Sequence, residues 1–354
     1  MIVNQWVPAA HRGDAVGDNA RMLREMFRGW GHQSDIYALT IDEDMAGDAR
    51  PWSDAASRLG DVTIYHYAVP SPMSAAFREL GGKRVLQYHN VTPAHFFAPY
   101  DLGLANMCAV GRHELATLAE ATDLALGDSS YNRAELDALH FPRTDVLPII
   151  VNTERLTAAP RRPGLERLLQ DGLVNILFVG RIAPNKKIED HIRLAECYKR
   201  YVDLYYRFIF VGRRDAVPGY YPAVRALVDR FGIAADRIWF VGNVPEPELA
   251  AYYRNAHAYV SLSEHEGFCV PIVEAMAMDV PVLAYGAGAV PETMGGAGMT
   301  FTPKDLEFAA ELLGALVYDQ PLRERLITGQ RERAQAFTRA RLEPRVRSML
   351  ALVA

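Results

Sequence analysis

The sequence predicts an α/β protein made of two doubly wound, Rossmann-like domains. Three observations lead there: the length, an alternation of short apolar runs with amphipathic stretches, and a loop-to-helix string near residue 270 that suits the carboxyl edge of a parallel sheet. At 354 residues the chain exceeds one ordinary core and suits two. Half of its residues are hydrophobic and 23% are charged, which is the usage of a folded chain rather than a disordered one.

In order, Ile2 to Val7 reads as a first strand. Gly13-Asp14-Ala15-Val16-Gly17-Asp18 reads as a turn ahead of a helix from about Asn19 to Trp30, where Met22, Leu23, Met26, Phe27 and Trp30 share one face. Gly13 and Gly17 would let the backbone approach a ligand, but they do not form a dinucleotide fingerprint, and no Gly-Lys-Ser/Thr phosphate loop occurs elsewhere. A nicotinamide enzyme and an ATPase are therefore disfavoured. Asp35 to Leu39, Asp61 to Tyr67, Arg84 to His89, Asp123 to Leu126 and Val146 to Val151 complete the strands of the first domain. Asp42-Glu43-Asp44 has the look of a metal-binding acidic triplet, weighed against a solvated loop, which is the commoner use of such a cluster. His89 ends its strand, where open α/β sheets place ligand contacts, and His66 competes for the same role. Ser129 reads as a helix cap.

TAAPRRPGLERLLQDG reads as the connection, giving a first domain of 1–160 and a second of 161–337, with a last helix at 338–354. Asn175 to Gly180 opens the second domain, followed by the turn GRIAPNKK, in which Arg181 and Lys186 are placed to meet phosphate against the next helix. Strands at Arg207 to Val211 and Ile238 to Val241 alternate with helices at Pro222 to Phe231 and Glu246 to Asn255. Ala258 to Leu262 is a buried strand, and Pro271 opens a helix running from Ile272 to Met278. Glu266 then lies in the loop, with Glu274 inside the helix and Gly267, Phe268, Cys269 and Val270 between them. Two carboxylates so spaced can bond two polyhydroxyl groups while amides near a positive helix end serve the charge between. Val280 to Tyr285, the glycine-rich GAGAVPE turn, and helices at Leu306 to Leu316 and Pro321 to Phe337 follow.

The string EGFCVPIVE, with Arg181 and Lys186 upstream, resembles the donor signature of the retaining glycosyltransferases of family 4. The resemblance implies the GT-B fold, two Rossmann-like domains facing across a cleft with the last helix crossing back to the first. It implies transfer of a hexose from a nucleotide-diphosphate sugar, of the GDP-mannose or UDP-glucose type, to a hydroxyl of a glycan or lipid-linked glycan. Arg181 and Lys186 would stabilise the leaving diphosphate, Glu266 would hold the sugar hydroxyls, Glu274 the ribose, and His89 would contact the transferred sugar. Gly13, Gly17, Gly180, Gly267, Phe268, Cys269 and Val270 would line the donor. No metal or other cofactor is implied. Two positions depart from the family pattern: Cys269 stands where it has glycine, which puts any φ > 0 requirement there in question, and Lys187 stands where it has glycine, to add charge or to face solvent.

A GT-B epimerase, a noncatalytic nucleotide-sugar-binding subunit and a metal-dependent transferase built on Asp42 and Asp44 are the rival readings. With 38 basic against 43 acidic residues, bulk charge suggests no nucleic-acid partner. Cys108, Cys197 and Cys269 form no Cys-x-x-Cys pair, so neither a zinc site nor a disulfide framework is indicated and a reducing cytoplasm is expected. The N-terminus reads as a strand and not a signal peptide. No apolar run is long enough to span a bilayer; peripheral membrane attachment and oligomeric state are left open.

Overall fold

The computed structural model describes residues 1–11 and 13–353. By contacts it divides into one unit of residues 1–94, 105–151 and 337–354, and a second of residues 95–104 and 152–336. The second unit thus takes in 152–160, read from sequence as part of the first domain, together with a short insert, 95–104.

The first unit is built on seven strands, β1 (Val3–Ala10), β2 (Ile36–Ile41), β3 (Arg50–Pro51), β4 (Val62–Tyr67), β5 (Lys83–Tyr88), β6 (Leu124–Gly127) and β7 (Thr144–Val146), in the order β3-β2-β1-β4-β5-β6-β7. All neighbours are parallel. The order reverses beside β1, so the switch point lies between β1 and β4, where doubly wound sheets place ligands. Val3, Ile64, Val85 and Leu126 on the sheet pack with Leu23, Met26 and Phe27 of the Ala15–Gly29 helix. The Arg339–Val353 helix joins this same core through Leu342, Val346, Met349, Leu350 and Val353, so the last helix belongs to the first unit; residue 354 lies outside the described residues.

The first helix begins at Ala15, earlier than the glycines suggest. Asp14 caps it by accepting from the Gly17 amide, and Gly17 sits in the first turn because a Cβ there would lie 2.9 Å from the His11 carbonyl oxygen. Val146 to Val151 is not one strand: β7 ends at Val146, and Pro148, having no N–H to give a ladder, stands in the run that follows. The stretch read as connection carries a short helix, Pro163–Leu169, and another, Glu154–Thr157, leads into it. The Leu102–Ala116 helix was not foreseen, since its first half bears no charge and so shows no polar face.

The second unit holds β8 (Val174–Val179), β9 (Tyr206–Val211), β10 (Ile238–Gly242), β11 (Ala258–Ser261), β12 (Val282–Tyr285) and β13 (Met299–Phe301), ordered β10-β9-β8-β11-β12-β13 and parallel throughout. Its switch point lies between β8 and β11. Both sheets therefore repeat one winding, with their central strands, β1, β4, β8, β9 and β11 among them, largely buried on both faces, as the apolar runs require.

Candidate functional site

At the carboxyl edge of the second sheet, Gly180 follows β8, and the backbones there approach closely: a Cβ on the facing Gly212 would lie 2.1 Å from the Gly180 carbonyl oxygen. The chain then turns through exposed Arg181 into the Pro184–Lys186 turn. Across the switch point, β11 leads into the loop carrying Glu266, and the next helix runs Val270–Ala277 with Pro271 in its first turn. The two loops are sewn together. The Glu264 amide donates to the Asn185 carbonyl at 2.9 Å, and Asn185 Nδ2 donates to the His265 carbonyl at 3.2 Å. Lys186 Nζ reaches both oxygens of Glu266 at 2.6 and 2.7 Å, a contact between residues 80 apart in sequence. The Glu266 carbonyl accepts from Ala289, and a Cβ on Gly288 would come within 2.6 Å of it, so the glycine-rich turn after β12 closes onto the same loop.

Glu274 is buried one helical turn further along. Its carboxylate is bound by Arg155 of the Glu154–Thr157 helix and accepts from the Tyr253 hydroxyl at 3.0 Å. Arg155 also donates to Glu246 at 3.2 Å. Burial first, and the Glu274 charge second, push the Tyr253 phenol well above its ordinary value, so it stays a donor. Arg155 and Tyr253 were missed from sequence because neither stands in a motif, and Asn185 because only its charged neighbours in GRIAPNKK drew attention. One signal could have marked this edge: Phe178-Val179-Gly180, Phe210-Val211-Gly212 and Phe240-Val241-Gly242 end three neighbouring strands with the same tripeptide.

Both departures from glycine keep the glycine conformation. Cys269 has φ 78° and Lys187 has φ 52°, each left-handed and each at the start of a helix. The requirement for φ > 0 thus survives with a Cβ in place, at a local cost of about 1–2 kcal/mol per residue. Cys269 is buried, which pushes its thiol well above the usual range and leaves it unreactive. Phe268 is buried with its carbonyl accepting from Thr293 Oγ1 at 2.5 Å, while Gly267 and Val270 are half-buried. Below the loops, Lys304 donates to Asp190, Glu264 and the Leu262 carbonyl, each at 2.9 Å. Burial acts to raise the Asp190 carboxyl, but the hydrogen bond and charge of Lys304 prevail and hold it below 3.8.

In the first unit, Gly13 is exposed at φ 71° after β1, whereas Gly17 lies inside a helix. His89 does not offer a ring nitrogen to a sugar. Its side chain is 3% exposed, with Nδ1 2.8 Å from Asp128 and Nε2 2.9 Å from His66 Nδ1, so both nitrogens are committed to the protein. His66 is no substitute, because its Nε2 is taken up by Gln5. Ser129 caps the Ser130–Ala138 helix. Asp42 binds His11 at 2.7 Å and precedes a single turn, Glu43–Met45. Among the described residues no group of three or more His, Cys, Asp or Glu side chains is gathered for a metal, and no helix is long and apolar enough to cross a membrane.

Residues 174–319 match the model of the family described as glycosyl transferases group 1. An O-antigen chain mannosyltransferase B from Escherichia coli is 28% identical over 206 residues, covering 56% of this chain and 53% of that protein. A GDP-mannose-dependent alpha-mannosyltransferase from Mycolicibacterium smegmatis is 31% identical over 251 residues, covering 68% of this chain and 60% of the relative. The chain thus spans a little over half the length of these two. Among solved structures, Anabaena HepE in complex with UDP and glucose superposes with a TM-score of 0.77 over 99% of both chains at 14% identity, which shows a shared fold. The two parallel Rossmann-like sheets are those of GT-B proteins, and the stretch that matches the family model, residues 174–319, spans all six strands of the second one.

Proposed function

We propose that the chain is a metal-independent, retaining hexosyltransferase that moves a hexose from a nucleotide-diphosphate sugar to a hydroxyl of a glycan or lipid-linked glycan, at the cytoplasmic side. One observation carries this reading: the Gly180–Lys187 loop and the Glu264–Phe268 loop are hydrogen-bonded to each other at the switch point of the second sheet. Doubly wound sheets bind nucleotides at that place.

Cleavage of the sugar C–O bond moves negative charge onto the β-phosphate. Arg181 and Lys186 would meet that charge, and such preorganised groups are commonly worth about 3–4 kcal/mol of barrier each. Lys186 is now neutralised by Glu266; a donor would divide the pair, giving the ammonium a phosphate and the carboxylate the sugar hydroxyls. Glu274, steadied by Arg155 and Tyr253, would accept from the ribose diol with its remaining lone pairs. His89 and Asp128 would act from within the first unit as positioning groups rather than as sugar ligands. The relatives named mannosyltransferases, one of them GDP-mannose-dependent, favour GDP-mannose over UDP-glucose as donor.

A thermal-shift screen of GDP, UDP, GDP-mannose and UDP-glucose tests the reading, since a ligand at about 100 times its Kd adds about 2.7 kcal/mol of stability. A rise in Tm with a nucleotide sugar, unchanged by EDTA, is expected. No shift with any nucleotide or sugar nucleotide would overturn it.

A further inference from the structure

A line of four hydrogen bonds crosses the first unit beneath the carboxyl ends of its strands. Gln5 Nε2 donates to the Ala20 carbonyl at 2.9 Å, and His66 Nε2 lies 2.9 Å from Gln5 Oε1. His66 Nδ1 then lies 2.9 Å from His89 Nε2, and His89 Nδ1 lies 2.8 Å from Asp128 Oδ2. The two imidazoles are parallel to within 5°, as an edge-to-edge N–H···N bond requires. Gln5 and His66 are fully buried, and Asp128 is 1% exposed.

Both ends of this line accept: a peptide carbonyl at one, a carboxylate at the other. Four bonds between two acceptors need four hydrogens, and Gln5, neutral His66 and neutral His89 supply one each. One is missing. Turning the Gln5 amide over does not supply it, because its oxygen would then face the Ala20 oxygen. Nor does the other oxygen of Asp128 carry it. The Ile150 amide donates to Asn19 Oδ1 at 3.1 Å, Asn19 Nδ2 to Gln87 Oε1 at 3.2 Å, and Gln87 Nε2 to Asp128 Oδ1 at 3.1 Å, so a backbone N–H that can only donate fixes the sense of that second line.

We propose that His89 is held as an imidazolium, with a proton on each ring nitrogen, ion-paired to the Asp128 carboxylate and donating to a neutral His66. Between a carboxylate and an imidazole the proton rests on the stronger base. Burial, and then the charge of His89, drive His66 well below its ordinary value, which makes it the neutral member. Among the described residues, the titratable groups facing His89 are His66 from β4 and Asp128 from beyond β6; Gln5, Gln87 and Asn19, which complete the two lines, are uncharged. The Arg112–Glu135 pair binds Tyr88, the residue before, rather than His89 itself. A buried imidazolium cannot accept a proton from an acceptor hydroxyl, so His89 is a positioning residue. It fixes Asp128 and, through Gln5, the helix that follows the Gly13 turn. The inference rests on the first unit alone and holds whether or not the transferase reading does.

Long-range ¹H–¹⁵N correlation on the full-length protein labelled at its histidines, assigned through the backbone, reads the protons directly. Near neutral pH, both nitrogens of His89 are expected to be protonated, and His66 to carry its proton on Nε2 alone. Asp128→Asn supplies the fourth hydrogen from its own amide while its oxygen still accepts from Gln87. In that variant His89 Nδ1 is expected to lose its proton with the circular dichroism unchanged. A bare nitrogen on His89 in the wild type, or an unchanged His89 spectrum in folded Asp128→Asn, would overturn the proposal; if the variant does not fold, the wild-type spectrum decides.

Discussion

Lys187 and Cys269 show how a single residue can keep a backbone shape after losing the side chain that makes it cheap. Both hold positive φ at helix starts, so restoring glycine at Lys187 removes about 1–2 kcal/mol of local cost. It also forfeits the pairs with Glu189 at 3.1 Å and Glu264 at 3.7 Å, which at their partial exposure are worth about 0.5–1 kcal/mol together. Lys187→Gly is therefore expected to raise stability by roughly 0.5–1 kcal/mol, read as a higher urea midpoint at constant m; a lower midpoint would show that the side chain, not the backbone, dominates there. Residues of this kind were only half legible. The Glu266 to Glu274 string, Arg181 and Lys186 stood out because their spacing is a motif. Arg155 and Tyr253, which orient Glu274, come from elsewhere in sequence and are visible only once the chain is folded. His89 was found for its place at a strand end, but nothing in a sequence tells that Asp128 and His66 occupy both of its nitrogens.

The elements themselves were easier to read, and for a physical reason. Strands of a parallel sheet covered on both faces are continuous apolar runs, so β4, β5, β8, β9 and β11 announce themselves. Helix ends do not: Gly17 suggested a turn, whereas its missing Cβ serves a close contact inside the first turn of a helix. The Ile188–Tyr201 helix offers a test at this scale, because Asp190 near its start is tied to Lys304. Asp190 is held below 3.8, so the unfolded chain binds its proton first. The stabilisation is present above that pH and is lost as pH falls through the depressed value. The urea midpoint of the second unit is expected to fall steeply below about pH 4, and less steeply in Asp190→Asn. Equal slopes for both proteins would remove Asp190 from the account.

For the whole chain, the closing helix is decisive. Leu342, Val346, Met349, Leu350 and Val353 are buried in the core of the first unit, at about 1.5–3 kcal/mol for each side chain. That sum, about 7–15 kcal/mol, is as large as the whole stability of an ordinary domain, about 5–15 kcal/mol. Deleting residues 337–354 is expected to abolish the calorimetric transition of the first unit while the second still melts cooperatively; loss of both transitions would contradict the division of the chain described above.

The claim on which the functional account rests is that Lys186 and Glu274 serve one nucleotide-sugar at the carboxyl edge of the second sheet. Calorimetric titration of GDP-mannose and UDP-glucose into the wild type, Lys186→Gln and Glu274→Gln tests it most directly. The account predicts a single site in the wild type and a loss of about tenfold or more in affinity, about 1.4 kcal/mol, in each variant. Binding left untouched by both substitutions, or no binding of either sugar nucleotide to the wild type, would contradict it.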